Sequence, residues 1–537
     1  MLGVSAGGAR PAILRRVRGG EALVAALAAH GVDLAFGIPG THNLEIYRHL
    51  ARYGVRHVGT RHEQGAGYAA DGYARSTGRV GVALVTSGPA VLNVATAVGQ
   101  AYSDSVPVLV VSPGMPLRQP TLGQGLLHET RDQQGAMAAV AAASLRPTSV
   151  AEIPTAVAQA FAIMTSGRPR PVHLEVPLDV LEEDADTGPV LVAEVAPATP
   201  PQAAVAAAVA RLSAATAPVI VVGGGARGAA AEVRAVAERL GAPVVTTANG
   251  KGVLPEDHPL ALGAGIHLPA VAALVEQADV VLAVGTELAP ADLWYGPLPV
   301  AGRLVRVDVD PVGVLTNASP EVAVVGDASL SLQAILARLG EATREVDVAT
   351  WRERKLAESQ EEGAAWLELV AALAAALARD AVVAADNAMV SYLGALAHLP
   401  AYAPGAYLFP SGYGTLGYAL PAAIGVKLAH PGRPVLALLG DGGVMFTVAE
   451  LATAAEQALA LPVVVVDNGG YGEIRNEMAE RGDPVHAVDL PSPDFAALGK
   501  SLGCHGVRLD DVDGLSGAVT AAFAADRPTV IHLVVRP

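Results

Sequence analysis

The sequence predicts an α/β protein built from three doubly wound, parallel-sheet domains. Its 537 residues exceed what one hydrophobic core serves well and leave room for about three domains of ordinary size. Apolar runs of strand length recur along the chain, among them PVLVVS (107–112), PVIVVGGG (218–225) and VVLAVG (280–285). The connections are rich in Gly, Pro and Asp, and Ala- and Leu-rich helical stretches separate the runs, the rhythm of parallel strands covered on both faces.

The first domain is expected over residues 18–182. It opens on a helix, EALVAALAAHG, and continues with strands in LAFGIPG, VRHVGTRHE, GVALVTS, PVLVVS and PVHLEVP. The preceding MLGVSAGGARPAILRRVRGG is basic but has no sustained apolar core ending in a cleavage site, and reads as a flexible lead-in. EEDADTGPVLVAEVAPATPP, acidic and then proline-rich, reads as a linker. The second domain, 200–340, takes strands from VIVVGGGARG, PVVTTANGKG, VVLAVGTEL and LVRVDVDP. A charged helical stretch, WRERKLAESQEEGAAWLELVAALAAALARD, leads into the third, 355–537, with VVAADNAM, YLFPSGYGTLGYALPAAIG, PVLALLGDGG, PVVVVDNGG and TVIHLVV.

Composition narrows the function. A hydrophobic fraction of 52% against 4% aromatic suits helices packed closely on buried strands. The formal charge of -16 argues against nucleic acid or an anionic membrane as a partner. The lone Cys504 excludes a disulfide framework, and the apolar runs fall short of the roughly 20 residues a bilayer needs. A cytoplasmic protein is expected.

In open α/β sheets ligands gather beyond the carboxyl ends of the strands. Two glycine turns stand there, GDGG and DNGG, joined by a segment that makes one helix and its return. Gly440, Gly442 and Gly443 let the backbone turn sharply and present N–H groups to an anion, and Asp441 adds a hard oxygen ligand. The second turn offers the Asn468 amide oxygen and a glycine carbonyl. Oxygen donors of this kind, supplemented by phosphate oxygens, suit Mg²⁺. Either turn alone would also serve as an ordinary strand-to-helix connection; their spacing and companions favour the metal.

GDG followed by Asn468 resembles the metal-diphosphate signature of thiamine-diphosphate-dependent enzymes of the acetolactate synthase and 2-oxo acid decarboxylase superfamily. The resemblance implies Asp441, Asn468 and the Gly470 carbonyl as Mg²⁺ ligands, with Tyr471 completing the cofactor-binding turn. It also implies that in GYGTLGYALPAAIG (412–425) the Gly414 carbonyl and Leu416 N–H hold the aminopyrimidine, and that Leu416 wedges between the cofactor rings. Asp467 stands where family members have a second asparagine, a position that is not normally a ligand.

RHEQGAGYAADGYARSTGRVGVALVTSGPAVLN (61–93) resembles the same family and puts Glu63 at its activating glutamate. A carboxyl sharing a proton with the pyrimidine ring favours the tautomer whose nitrogen deprotonates the thiazolium. The competing reading is a strand-end glutamate paired with Arg61 or His62. With Glu63 and the diphosphate turns in different domains, the family arrangement implies a cofactor between two subunits, hence a homodimer or homotetramer.

Such enzymes decarboxylate a 2-oxo acid; decarboxylases then protonate the product carbon and carboligases join it to a second carbonyl compound. Acetolactate synthases resemble the chain over nearly its whole length. GQGLLHETRDQ departs from them, with His128 and Glu129 in place of a Phe-Gln-Glu run. Together with FGIPGTHNLEIYRHL and YGEIRNEM, it looks closest to 5-guanidino-2-oxopentanoate decarboxylases, which act on 2-ketoarginine. A guanidinium needs an acidic partner, for which Glu473 is the candidate, although a solvated or Arg475-paired residue would look the same. His128 is a candidate to protonate the intermediate or orient the substrate carboxylate. Thr41 and Ser87 are expected to border the substrate. The runner-up reading is an acetolactate-synthase-like carboligase, and the alternative of another class is a catalytically silent cofactor-binding homologue. The central block resembles the middle domain that binds FAD in many acetolactate synthases, but its glycine turns alone do not support a flavin.

Overall fold

The computed structural model describes residues 15–119, 123–187, 190–192, 195–340 and 346–535. Three six-stranded sheets organise it, each wholly parallel. The first runs in space as Arg56–Gly59, Leu34–Gly37, Gly81–Leu84, Val108–Gly114, Val172–Pro177 and Ala143–Leu145. The second runs Ala261–Ala264, Val244–Thr246, Pro218–Val222, Val280–Val284, Leu304–Asp308 and Val322–Val325. The third runs Tyr407–Leu408, Val382–Ala385, Val435–Gly440, Pro462–Asp467, Thr529–Val534 and His505–Leu509. Central strands such as Val82, Val221 and Val464 are buried on both faces, which is why they read as unbroken apolar runs.

Four strands of these sheets fall outside the strand-length runs taken from the sequence: Ala143–Leu145, Ala261–Ala264, Val322–Val325 and His505–Leu509. All four are sheet edges, where a strand has one neighbour, and two of them, Ala143–Leu145 and His505–Leu509, carry polar residues.

The lead-in and linker expectations need correction. Residues 1–14 lie outside the described residues, as do 188, 189, 193 and 194 of the linker. Arg15–Arg18, however, is a strand antiparallel to Asp184–Thr187. Arg16 stands opposite Asp186 and Arg18 opposite Asp184, so a basic and an acidic segment meet as favourable cross-strand pairs. The stretch before the third domain breaks into Val348–Glu362 and Leu367–Ala376, parting at Gly363, where a Cβ would stand 2.4 Å from the Leu393 carbonyl. Among the described residues no helix is long and apolar enough to cross a membrane.

The first and third domains meet along two helices, Glu63–Thr77 and Ala419–Ala429. Gly72 and Gly425 set their approach, since a Cβ on either would lie within 2.2 Å of a carbonyl oxygen on the other helix. Beside this contact Arg75 donates to Asp71 (2.6 Å), Asp104 (2.7 Å) and Asn249 (2.7 Å), and the Tyr418 hydroxyl donates to Asp71 (2.6 Å). Residues of all three domains thus share one buried charge network. Burial pushes the Asp71 carboxyl up, opposed by Arg75 and Tyr418.

Candidate active site

Strands Val435–Gly440 and Pro462–Asp467 are neighbours, with Gly440 opposite Val466, so the turns that follow them open side by side. The helix after GDGG lasts a single turn, Asp441–Val444; a second, Glu450–Glu456, starts the return. Asp441 Oδ2 accepts from Gly470 N–H at 2.6 Å and from the Ser492 hydroxyl at 3.1 Å. The end of the Asn468 amide lies 3.0 Å from the Gly470 carbonyl oxygen and 3.2 Å from Asp441 Oδ1. One carboxylate, one amide and one backbone carbonyl therefore converge. The amide oxygen faces both, so three oxygens meet there with no donor between them. The set fits a small hard cation whose remaining positions come from phosphate and water.

Burial, and then the charge of Asp467, push the Asp441 carboxyl up. Asp467 goes the other way: burial opposes its ionisation, but hydrogen bonds from His532 (2.9 Å) and Ser492 (2.8 Å) draw its carboxyl below the ordinary range. Close approach explains two of the glycines. A Cβ on Gly442 would meet the Tyr471 ring at 2.7 Å, and one on Gly443 would meet Asp386 Oδ2 at 2.7 Å.

Asp386 also organises the loop expected to lie under the cofactor. Its carboxylate accepts from Gly417 N–H (2.8 Å) and Tyr418 N–H (3.3 Å), while Thr447 donates to the Gly417 carbonyl (2.7 Å). Asn387 donates to the Pro410 and Thr415 carbonyls. Gly414 and Gly417 adopt φ of 69° and 81°, and Leu416 sits half-buried between them. Burial pushes the Asp386 carboxyl up to about 6.

Glu63 is the first residue of its helix, and Asn93 donates to its Oε2 at 2.9 Å. The alternative pairings dissolve: Arg61 engages Glu456, and the His62 ring accepts from Gln64 N–H. A residue that sequence reasoning passed over holds this segment. Glu450, wholly buried in what had looked like a spacer helix, accepts from Arg61 N–H (3.0 Å), His62 N–H (2.9 Å) and the Thr453 hydroxyl (2.7 Å). Only a glycine fits at position 65, where a Cβ would lie 2.3 Å from Glu450 Oε1. A carboxylate among the ELATA helix residues, facing a distant backbone, leaves no periodic trace in sequence.

His128 and Ser87 are brought together, with Ser87 Oγ 3.3 Å from His128 Nδ1. The third member is His42, whose Nδ1 lies 2.6 Å from Ser87 Oγ and whose ring meets that of His128 edge-on at 5.0 Å. Its neighbour Thr41 is exposed and stands outside this cluster. Asn43 turns inward instead, accepting from Gly40 N–H and donating to the Ile38 carbonyl, and this local cap aims His42 at Ser87. Burial, then His128, holds the His42 imidazole below its ordinary range. His128 itself occupies left-handed backbone, φ 62°, and packs on Gly88.

Glu473 is exposed and accepts from the Tyr392 hydroxyl at 2.8 Å. Arg475 is taken elsewhere, by Asp489 (2.6 Å) and the Gly469 carbonyl (2.9 Å).

At the carboxyl end of the central sheet, a cavity of about 420 Å³ is lined by Gly223–Gly225, Thr286, Asp308 and Arg227. GGGARG and GTEL line it as strand-end turns, and no residue there singles out a flavin.

The three domains match a known family. Residues 17–136 match the thiamine pyrophosphate enzyme N-terminal TPP binding domain, 205–335 its central domain and 390–533 its C-terminal TPP binding domain. The chain is 43% identical, over 96% of its length and 93% of the relative's, to a Pseudomonas aeruginosa protein named probable 2-ketoarginine decarboxylase AruI. It is 36% identical to the acetolactate synthase large subunit of Parasynechococcus marenigrum, over 97% of this chain and 88% of that one. A probable acetolactate synthase large subunit of Methanocaldococcus jannaschii is 32% identical over 97% and 92%. With three domains in the family's order and relatives alike over nearly their full length, this chain belongs to the thiamine pyrophosphate enzymes, among the 2-oxo acid decarboxylases and acetolactate-synthase-like carboligases.

Proposed function

We propose that the protein is a Mg²⁺- and thiamine-diphosphate-dependent decarboxylase that converts a guanidino-bearing 2-oxo acid, 5-guanidino-2-oxopentanoate, to 4-guanidinobutanal and carbon dioxide. When bound, the cofactor supplies an electron sink for the carbon that loses its carboxylate. Asp441, Asn468 and the Gly470 carbonyl hold the cation, with Gly440, Gly442, Gly443 and Tyr471 shaping the diphosphate turn. Gly414 and Leu416 support the pyrimidine, and Glu63, steadied by Asn93, shares a proton with it. The protein divides into units 18–182, 200–340 and 355–537, with the first and third supplying these groups.

The observation that carries the decarboxylase reading is the His42–Ser87–His128 cluster. A decarboxylase must return a proton to the carbon left after carbon dioxide departs, and two imidazoles joined through a hydroxyl can deliver one near neutral pH. Ser87 passes it. Glu473 supplies the carboxylate for a cationic side chain, and the relative named for 2-ketoarginine supports that choice. The active unit is a homodimer or larger: Leu92, Tyr413, Met445 and Phe446, next to the cofactor groups, are apolar and exposed in the single chain.

The test is to supply thiamine diphosphate and Mg²⁺ and assay 2-ketoarginine, pyruvate and uncharged 2-oxo acids, identifying the products. 4-Guanidinobutanal from 2-ketoarginine is expected. Acetolactate as the dominant product would replace this reading with the carboligase one, and purified protein that takes up no cofactor would favour a silent homologue.

A further inference from the structure

Three elements that come from different parts of the chain meet beside Glu473. Tyr392 lies on the helical turn Val390–Ala395 after the strand Val382–Ala385, and Glu473 follows the turn after Pro462–Asp467. Trp294 comes from the central domain, in the loop beyond Val280–Val284. Its ring stands 6.0 Å from that of Tyr392 and perpendicular to it. His267 stacks on the indole at 3.9 Å, and the indole N–H donates to the Ala291 carbonyl at 3.0 Å. Glu362 locks the brace, bonded to His267 (3.0 Å) and accepting from the Tyr295 hydroxyl (2.9 Å).

This cluster is unusual in two respects. Trp294, although braced, remains 40% exposed. Among the described residues, no Arg, Lys or His pairs with Glu473, whose hydrogen bond comes from Tyr392 alone. An aromatic face held rigidly next to a carboxylate without a cation is half of a complex.

We propose that Trp294 and Tyr392, together with Glu473, form a cage selective for a planar guanidinium, so that the central domain contributes directly to substrate choice. A guanidinium can lie flat against an aromatic ring and donate two N–H groups in its own plane to a carboxylate, whereas a compact ammonium is more strongly hydrated and has no flat face to stack. Tyr392 holds Glu473 by one oxygen and leaves the second to the ligand. The inference rests on the decarboxylase reading only for what lies at the other end of the substrate.

Two measurements on the full-length protein test it. The first is binding of the unreactive 5-guanidinopentanoate and 5-aminopentanoate by calorimetry and tryptophan fluorescence. Of the three tryptophans, Trp366 is buried and Trp351 half-buried, so a ligand in the cage should quench Trp294. The guanidino compound is expected to bind roughly 10-fold or more tightly than the amine, and Trp294→Phe to abolish the quenching. Equal affinities, or quenching that survives Trp294→Phe, would overturn the cage. The second is steady-state kinetics on 2-ketoarginine and 2-oxohexanoate. Glu473→Gln should lower kcat/KM for the cation roughly 100-fold and Trp294→Leu roughly 10-fold, each well beyond its loss on the uncharged acid. Equal proportional losses on both substrates reject the cage and spare the decarboxylase. Binding of 5-guanidinopentanoate without turnover of any 2-oxo acid rejects the decarboxylase and spares the cage.

Discussion

The proposed metal turn and the proposed substrate wall lie only a few residues apart at Glu473, yet the chain builds them in opposite ways. Asp441 and the Gly470 amide that bonds it are 29 positions apart, on adjacent strands of one sheet, joined by a short helix and its return. The wall is gathered from afar: His42 reaches Ser87 across 45 positions, Ser87 reaches His128 across 41, and Tyr392 reaches Glu473 across 81. A site made by one strand-helix-strand unit is a local geometric consequence of the sheet. A site made by several loops exists only once the domains have packed.

The sharpest way to break the local half is Asp441→Ala. Removing the only carboxylate among the proposed ligands should weaken Mg²⁺-dependent thiamine diphosphate binding by roughly two orders of magnitude or more, read by calorimetry with and without Mg²⁺. The sheet should survive, since far-ultraviolet dichroism reports strands that Asp441 does not support. Undiminished binding would take the metal away from this turn.

Glu63→Gln cuts at the next level, chemistry without binding. Hydrogen–deuterium exchange at C2 of the bound cofactor should slow about 100- to 1000-fold, while cofactor affinity changes little. Exchange at the wild-type rate would strip Glu63 of its role.

The dispersed half is probed by His42→Ala. His42 is held below its ordinary range by burial and by His128. Losing it should slow aldehyde formation about 10- to 100-fold and, with an added acceptor aldehyde, raise the share of carboligation product measured by chromatography. A variant that loses rate without any change in product ratio would make His42 a packing residue.

The same contrast explains what the sequence made legible. Central strands such as Pro462–Asp467 announce themselves because both faces are buried, and GDGG and DNGG because oxygen donors on tight turns are what the proposed Mg²⁺ would need. The edge strands Ala143–Leu145 and His505–Leu509 do not, because half their backbone has no partner strand. Thr41 and His42 are adjacent in GIPGTHN, and which of them faces Ser87 depends on the inward turn of Asn43. Glu450 has no signature at all: beyond Thr453, its partners are backbone N–H groups 388 and 389 positions away. Trp294 joins the wall only because a central-domain loop packs against the third domain.

Between the two halves stands Asp386, local to its strand yet holding the cofactor loop through Gly417 and Tyr418. Its folded carboxyl, raised by burial to about 6 from an ordinary 3.8, keeps its proton where the unfolded chain has lost it. The folded state therefore binds more protons across that window, and this group takes stability away as the pH rises from about 4 to about 6, with no further change above. Asp386→Asn has no such titration. In urea unfolding at several pH values between about 4 and 7.5, the stability of the variant relative to wild type should move in the variant's favour up to about pH 6 and then level off. Two curves that stay parallel throughout would mean that Asp386 meets the Gly417 and Tyr418 amides as an ordinary ionised carboxylate, and the loop would then owe its hold to charge rather than to a buried, protonatable anchor.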